Sequence, residues 1–335
     1  MRCAETYRIA SDQFDPWWNL ALEEHLLDKV EPGQVIFYLW QNAHTVVIGR
    51  NQNPWSECRI KLLEEEGGRL ARRLSGGGAV YHDRGNLNFT FIMDRDLYNP
   101  DRQFAMMTDA VRKLGIPACR SGRNDILVEG GRKFSGNAFY LRPRTALHHG
   151  TILVDTDLNQ VQRYLSVSHR KLASKGVASV KSRVVNLSHL KPSLTVEEIK
   201  TALLEAFDRE YARTSLPLAE TIAADREQIE IIRQKYASEM WRFGDTPEFN
   251  FSCGQRFDWG EIEFCLNVQK ARIHSATVFS DSLEPDLIAA LGPCLKDAMF
   301  DEAAMVDRLQ TLAAQRPHPI LDDLIGYFHT HPLSS

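Results

Sequence analysis

Apolar residues recur every fourth position from Trp18 through Leu22 and Leu26 to Val30, one row of an α-helix. Asp15-Pro16 ahead of them supplies an N-cap and a first-turn proline, and Pro32-Gly33 ends the run. Two short apolar strands follow, at 35–40 and 45–48. Strand-like runs at 79–82 and 87–93 flank Asp83-Arg84-Gly85-Asn86, and runs at 125–128 and 132–139 flank Glu129-Gly130-Gly131; both pairs predict antiparallel hairpins. Phe104, Met107, Val111 and Leu114 mark a helix that stops at Gly115 and Pro117. Thr195 and Glu198 form a capping box for another helix, which runs through Leu203 and Phe207. The stretch 218–236 is charged and helical in tendency, and 243–247 reads as a linker. Beyond it, Ile262, Phe264, Leu266 and Val268 alternate with polar residues, a strand buried on one face, and 273–280 pairs with it across 269–272. Two or three short helices finish the chain. The expected class is α+β, with one domain over 1–245 and a smaller one over 250–335.

Length supports that division, since 335 residues are many for one core. A net charge of -4 offers no general attraction to nucleic acid. The first residues contain no apolar signal region, and the run at 35–40 is far short of the roughly 20 residues that cross a bilayer. Neither a nucleic-acid nor a membrane partner is expected. The six cysteines, Cys3, Cys58, Cys119, Cys253, Cys265 and Cys294, form no CxxC pair and read as reduced thiols of a cytoplasmic protein.

Chemistry concentrates in four segments. Arg72-Arg73-Leu74-Ser75-Gly76-Gly77-Gly78-Ala79-Val80-Tyr81-His82-Asp83 sets three glycines between strand-like runs. Their entropic cost implies a close approach of main chain to something, and exposed N–H groups beside two arginines make an anion cradle. A flexible hairpin loop is the competing reading. No GxxxxGK[ST] and no GxGxxG between strand and helix is present, which disfavours a P-loop or dinucleotide-binding domain. Lys133, within Gly131-Arg132-Lys133-Phe134-Ser135-Gly136-Asn137-Ala138, sits among apolar and small residues where an ammonium could meet an acyl and a phosphate oxygen together; a solvated strand face is the alternative. His148 and His149 are adjacent on a strand, so they face opposite ways and suit packing better than zinc. The basic stretch Lys175-Gly176-Val177-Ala178-Ser179-Val180-Lys181-Ser182-Arg183 could close over a polyphosphate or simply be exposed.

In order, DPWWNLALEE, WQNAHTVVIGRNQNPWSEC, RRLSGGGAVYHDRGN, SGRNDI, RKFSGNA, HHGTIL, KGVASVKSRVVNL and Phe279-Ser280-Asp281-Ser282-Leu283 resemble the lipoate–protein ligase A family over nearly the whole chain. The resemblance implies the fold of biotin/lipoate ligases and class II synthetases: a mixed, largely antiparallel sheet flanked by helices, plus a small α+β C-terminal domain. It implies an ATP- and Mg²⁺-dependent ligase that converts (R)-lipoate to lipoyl-AMP and pyrophosphate, then transfers the lipoyl group to a lysine. The implied acceptors are lipoyl domains of 2-oxoacid dehydrogenase acyltransferases and the glycine-cleavage H protein; the implied state is a monomer. Motif by motif, the resemblance implies Lys133 as the catalytic residue, Arg73, Gly78, Ala79, Val80, Tyr81 and Lys133 as holding ATP or the adenylate, and Ser75, Gly76, Gly77 and Lys133 as holding lipoate. Further candidates are Arg72, Asn86, Asp125, His149, Lys181 and Arg183. Magnesium is expected mainly on the ATP phosphates, with Asp125 the candidate protein oxygen.

Octanoyl and lipoyl transferases look similar around the Gly-rich turn but work through a cysteine thioester. No cysteine lies between Arg120 and Ser252, leaving Cys119 and Cys58 outside the transferase pattern. Biotin ligases carry a GRGR-type loop where this chain reads RRLSGGGAV. A non-catalytic lipoyl-domain-binding module would keep the pocket without consuming ATP. Leu74 replaces a residue that is commonly small and polar in the family, which leaves the choice between lipoate and octanoate open.

Overall fold

The computed structural model describes residues 5–166, 184–211, 216–217, 223, 225–244 and 248–331. The chain divides into two compact units, one of Met1–Ile48, Pro54–Arg73 and Ala79–Arg242, the other of Gly49–Asn53, Leu74–Gly78 and Phe243–Ser335.

In the first unit, strand β1 (Glu5–Ala10) leads to helix α1 (Pro16–Lys29), opened by the Asp15 carboxylate accepting the Trp17 N–H at 3.1 Å. Strands β2 (Gln34–Trp40) and β3 (Thr45–Ile48) precede the short helices α2 (Pro54–Glu57) and α3 (Ile60–Glu65). Then come β4 (Arg69–Arg72), β5 (Val80–His82), β6 (Asn86–Asp94) and helix α4 (Pro100–Lys113), which ends at Gly115 with φ 86°. Strands β7 (Ala118–Ser121), β8 (Asp125–Val128), β9 (Lys133–Leu141) and β10 (Thr145–Leu153) are followed by α5 (Leu158–Tyr164) and α6 (Val196–Glu210), with both capping-box bonds of Thr195 and Glu198 formed. The two-residue strand β11 (Leu216–Pro217), α7 (Arg226–Ala237) and α8 (Glu239–Phe243) complete the series.

Eight strands form one sheet in the order β11-β1-β2-β6-β10-β9-β8-β7; only the β11–β1 and β1–β2 pairings are parallel. A mixed, largely antiparallel sheet flanked by helices is the expected class, and it is found. β6 alternates sharply: Leu87, Phe89, Phe91 and Met93 join the core under α4 and α6, where the Phe37 ring lies 4.7 Å from Phe91 and 5.0 Å from Phe207. The opposite face of β6 carries Asn86, Asn88 and Thr90, all buried.

A second, three-stranded sheet has the order β4-β3-β5. It corrects one expectation. β5 pairs with β3, and β6 pairs with β2 and β10, so the runs around Asp83-Arg84-Gly85-Asn86 belong to different sheets and make no hairpin. The cause lies at Gly85, whose carbonyl accepts the N–H groups of Val154 and Asp155 at the end of β10. A Cβ there would overlap the Asp155 carbonyl, so the turn becomes a corner between sheets. The hairpin of β8 and β9 does form, with Gly130 and Gly131 at φ 85° and 78°.

The second unit holds an antiparallel sheet of β12 (Phe251–Phe257), β13 (Gly260–Gln269) and β14 (Arg272–Ser280), and the helices α9 (Pro285–Leu295), α10 (Glu302–Gln315) and α11 (Pro319–Thr330). Ile262, Phe264 and Leu266 form its core with Leu291, Leu309, Leu324 and Phe328. The β13–β14 pairing is as the alternation predicts, whereas β12 carried no comparable signal. No helix among the described residues is long and apolar enough to cross a membrane.

Candidate active site

The polar face of the eight-stranded sheet gathers several of the candidates in register. Cross-strand partners share a face in an antiparallel ladder. Asp125 pairs with Gly136, Thr151 with Asn88, and Asn88 with Trp40; the Gly136 N–H meets Thr151 Oγ1 at 3.4 Å. The result is one row across five strands. Lys133 lies at its edge, its Nζ 2.6 Å from Asp125 Oδ1, with both side chains about one-third exposed, at 33% and 36%. A Cβ on Gly136 would come within 2.8 Å of Lys133 Nζ, so the missing side chain is what lets the ammonium rest over β9. Asn124 and Asn137 bond reciprocally across the same corner, at 3.2 and 3.1 Å, which ties the SGRNDI and RKFSGNA segments together.

The next row holds His149, paired with Thr90 and Ala138, and Thr90 is paired with Tyr38. Here α1 covers the sheet, and its Glu23 accepts from Thr90 Oγ1 at 2.7 Å and lies 2.9 Å from His149 Nδ1. Trp40 Nε1 donates to Thr90 Oγ1 at 3.0 Å. Arg73, at the end of β4, is buried, and its Nη1 reaches the Val47 carbonyl at 3.3 Å. Burial lowers its pKa to about 10, and the Glu23 carboxylate works against that fall. His82 is held down to about 3 by burial, then by the Arg73 and His149 charges; it is therefore neutral near pH 7. Its ring stands edge-on to Trp40 at 6.1 Å. Three buried polar atoms on or beside this face meet no partner among the described residues: Asn86 Oδ1, Asn88 Nδ2 and His82 Nε2.

Other candidates are placed elsewhere. Arg72 points away from Arg73, as successive strand residues must, and donates to the carbonyls of Trp241 and Arg242. Tyr81 stacks on Tyr164 at 5.7 Å, with its hydroxyl pKa raised by burial and then by Asp83. His148 faces the core, between Gln103 Oε1 at 2.7 Å and Asn137 Oδ1 at 2.9 Å, opposite in direction to His149. Lys181 and Arg183, with the stretch from Lys175, lie outside the described residues.

Ser75, Gly76, Gly77 and Gly78 belong to the second unit, and there the glycines explain themselves individually. The Gly77 N–H donates to the Ser282 carbonyl at 3.1 Å with φ 89°. A Cβ on Gly76 would overlap that same carbonyl oxygen, while one on Gly78 would meet nothing. The main chain does approach something closely at Gly76, and it is protein. Ala79 and Val80 follow in the first unit, partly exposed.

The polar row joins residues that no single motif connects. Glu23, Trp40, His82 and Thr151 stand inside the quoted motifs without a role of their own, and Asn88 and Thr90 are signalled only by the polar alternation of Asn86, Asn88 and Thr90 within an otherwise apolar strand. A family model described as the lipoyl protein ligase A/B catalytic domain matches residues 15–208, more than half of the chain. The chain belongs to this family. A second model, described as the bacterial lipoate protein ligase C-terminus, matches residues 246–325 of this ligase. Among solved structures, P. falciparum LipL1 in complex with lipoate is 28% identical at a TM-score of 0.83, covering 97% of this chain and 100% of that one. A bi-partite lipoate protein ligase from Thermoplasma acidophilum, described with its E2 lipoyl domain, is 26% identical at 0.62, covering 75% and 100%. A lipoate-protein ligase A bound with ATP is 25% identical at 0.60, covering 73% and 99%.

Proposed function

We propose that this ligase activates lipoate with ATP and transfers the lipoyl group to a lysine of an acceptor lipoyl domain. The observation that carries the reading is the Lys133–Asp125 pair over Gly136, on a face where buried polar atoms find no partner among the described residues. An unpaired buried polar group costs about 1–3 kcal/mol, so a face with several is built for something polar to complete it. Similarity to structures described with lipoate and with ATP names the candidates.

In the first step a carboxylate oxygen bonds to the α-phosphorus while the bond to the bridging oxygen breaks, and pyrophosphate leaves with the electron pair. Negative charge gathers on the non-bridging oxygens. The Lys133 ammonium, held in place by Asp125, and the buried Arg73 guanidinium are fixed cations that meet such charge without reorganising. In the second step the neutral acceptor amine bonds to the acyl carbon, AMP leaves, and the amine loses a proton. Among the described residues no group of three His, Cys, Asp or Glu side chains forms a metal cage. The oxygens of Asp125 and Asn86 are hard donors that suit a magnesium ion already carried by polyphosphate, whose chemistry would be charge neutralisation.

The acceptor reading rests on the relative described with its E2 lipoyl domain; a glycine-cleavage H protein is a second acceptor to test. A domain boundary near 245, a single-chain assembly and a cytoplasmic location belong to the same reading. The cysteine-dependent transferase is less well supported. Burial pushes the Cys58 thiol up to about 12, far from a thiolate. Cys119 is exposed on β7 and shares a cross-strand row with Leu127 and Lys133, roughly two strand spacings of ~4.8 Å away, so it is the one cysteine to exclude by mutation.

ATP–pyrophosphate exchange with lipoate, octanoate and biotin in parallel is the deciding experiment. Lipoate should drive exchange, Cys119→Ser should leave it intact, and Lys133→Ala should lower it by about a thousandfold. Exchange that ignores the acid supplied, or survives Lys133→Ala, would remove the proposal.

A further inference from the structure

β4 is one of the two edge strands of the small sheet, and among the described residues its outward carbonyls face no neighbouring strand. The parallel β3–β4 ladder uses the N–H groups of Arg69 and Arg73, which reach the His44 and Ile48 carbonyls at 3.0 and 3.1 Å. The alternate residues, Leu70 and Arg72, therefore turn their carbonyls outward. An indole meets each one. Trp17 Nε1 donates to the Leu70 carbonyl at 3.2 Å, and Trp241 Nε1 to the Arg72 carbonyl at 2.9 Å. The second contact is reciprocated: Arg72 Nε donates to the Trp241 carbonyl at 3.0 Å and Nη2 to the Arg242 carbonyl at 2.8 Å, so side chain and main chain of each partner hold the other. The Trp241 ring is itself fixed, edge-on to the buried Tyr236 at 5.4 Å and beneath Lys235 Nζ at 4.5 Å.

The peptide group between Arg72 and Arg73 is thus bonded at both ends, its carbonyl to Trp241 and its N–H to Ile48. That one plane sets the direction in which the Arg73 side chain leaves the strand. We propose that Trp241 is a positioning residue for Arg73: with Trp17 it replaces the missing strand beside β4, and its indole N–H fixes the plane that aims the Arg73 guanidinium. The same bracket assigns the adjacent arginines different jobs, Arg72 holding α8 and Arg73 turned to the polar face. The inference rests on the ligase reading, in which Arg73 meets nucleotide.

The test is Trp241→Phe, which keeps a ring against Tyr236 and deletes only the N–H, assayed by lipoate-dependent ATP–pyrophosphate exchange. A displaced guanidinium should raise the KM for ATP by about tenfold, with kcat changed much less. Trp17→Phe, which deletes the matching bond two residues further from Arg73, should leave that KM unchanged. Arg72→Lys, which loses the fork onto α8, should reproduce the Trp241→Phe shift, and the double variant should be no worse than either single one. In an Arg73→Ala background Trp241→Phe should have no further effect on the KM. A wild-type chain silent in exchange overturns the ligase reading and this role with it. An active wild type with an unchanged KM in Trp241→Phe, or the same shift without Arg73, overturns the positioning role alone.

Discussion

A methyl group at position 136 would stand within 2.8 Å of the Lys133 ammonium, and the atom it meets is the far end of a flexible side chain. Gly136→Ala should therefore fold normally and move Lys133 aside. Lipoate-driven exchange should fall about 10- to 100-fold at an unchanged melting temperature; full activity would separate Lys133 from the seat described above. His82 offers a test through pH. Its ring takes a proton near 6.5 when unfolded but only near 3 in the folded protein, so the unfolded state binds more protons between those values and stability falls with pH across that window. From pH 7 to 5 the loss is about 2 kcal/mol. Urea unfolding at pH 7 and pH 5 should show His82→Gln losing less than the wild type by about that amount, and equal losses in the two proteins would exclude His82 as the source. Residue placement was legible where a motif singled it out, since Lys133 and Arg73 both lie on or beside the polar face. It was not legible at Glu23, because a charged helical residue ordinarily faces water, and only tertiary packing sets this one against Thr90 and His149.

Elements declared themselves in the sequence when their signal was local. The Asp15 cap, the Thr195 capping box and the alternation of Ile262, Phe264 and Leu266 each depend on a few neighbours, and each is found. Partnership between strands is not local. The runs 79–82 and 87–93 looked like a hairpin because a four-residue Gly-containing turn joins them, but what decides their pairing is the approach of Asp155 to Gly85, seventy residues apart in the chain. The β13–β14 turn shows a local rule broken yet tolerated: Lys270 and Ala271 occupy the left-handed region at φ 50° and 57°, where glycine or asparagine is usual. Ala271 is exposed, and its carbonyl accepts the Phe300 N–H, a bond that glycine would keep. Ala271→Gly should raise stability by about 1 kcal/mol, read as a shift in the denaturant midpoint; a lower midpoint would mean that the hairpin needs the methyl group.

The whole molecule joins two units whose chain is interleaved, since 49–53 and 74–78 pack with the C-terminal unit. Gly76 is the tight point of that seat, against the Ser282 carbonyl, whereas Gly78 has open space around its Cα. Gly76→Ala should lower the melting temperature by several degrees, about 1–3 kcal/mol of overpacking, and Gly78→Ala should not. Equal tolerance at both positions would show that the turn is free to leave its seat. For anyone exchanging parts between relatives the lesson is a practical one. A chimaera spliced only near residue 245 inherits a foreign tail beneath two native pentapeptides, so a compatible graft must carry three separate pieces of sequence, two of them encoded long before the apparent boundary.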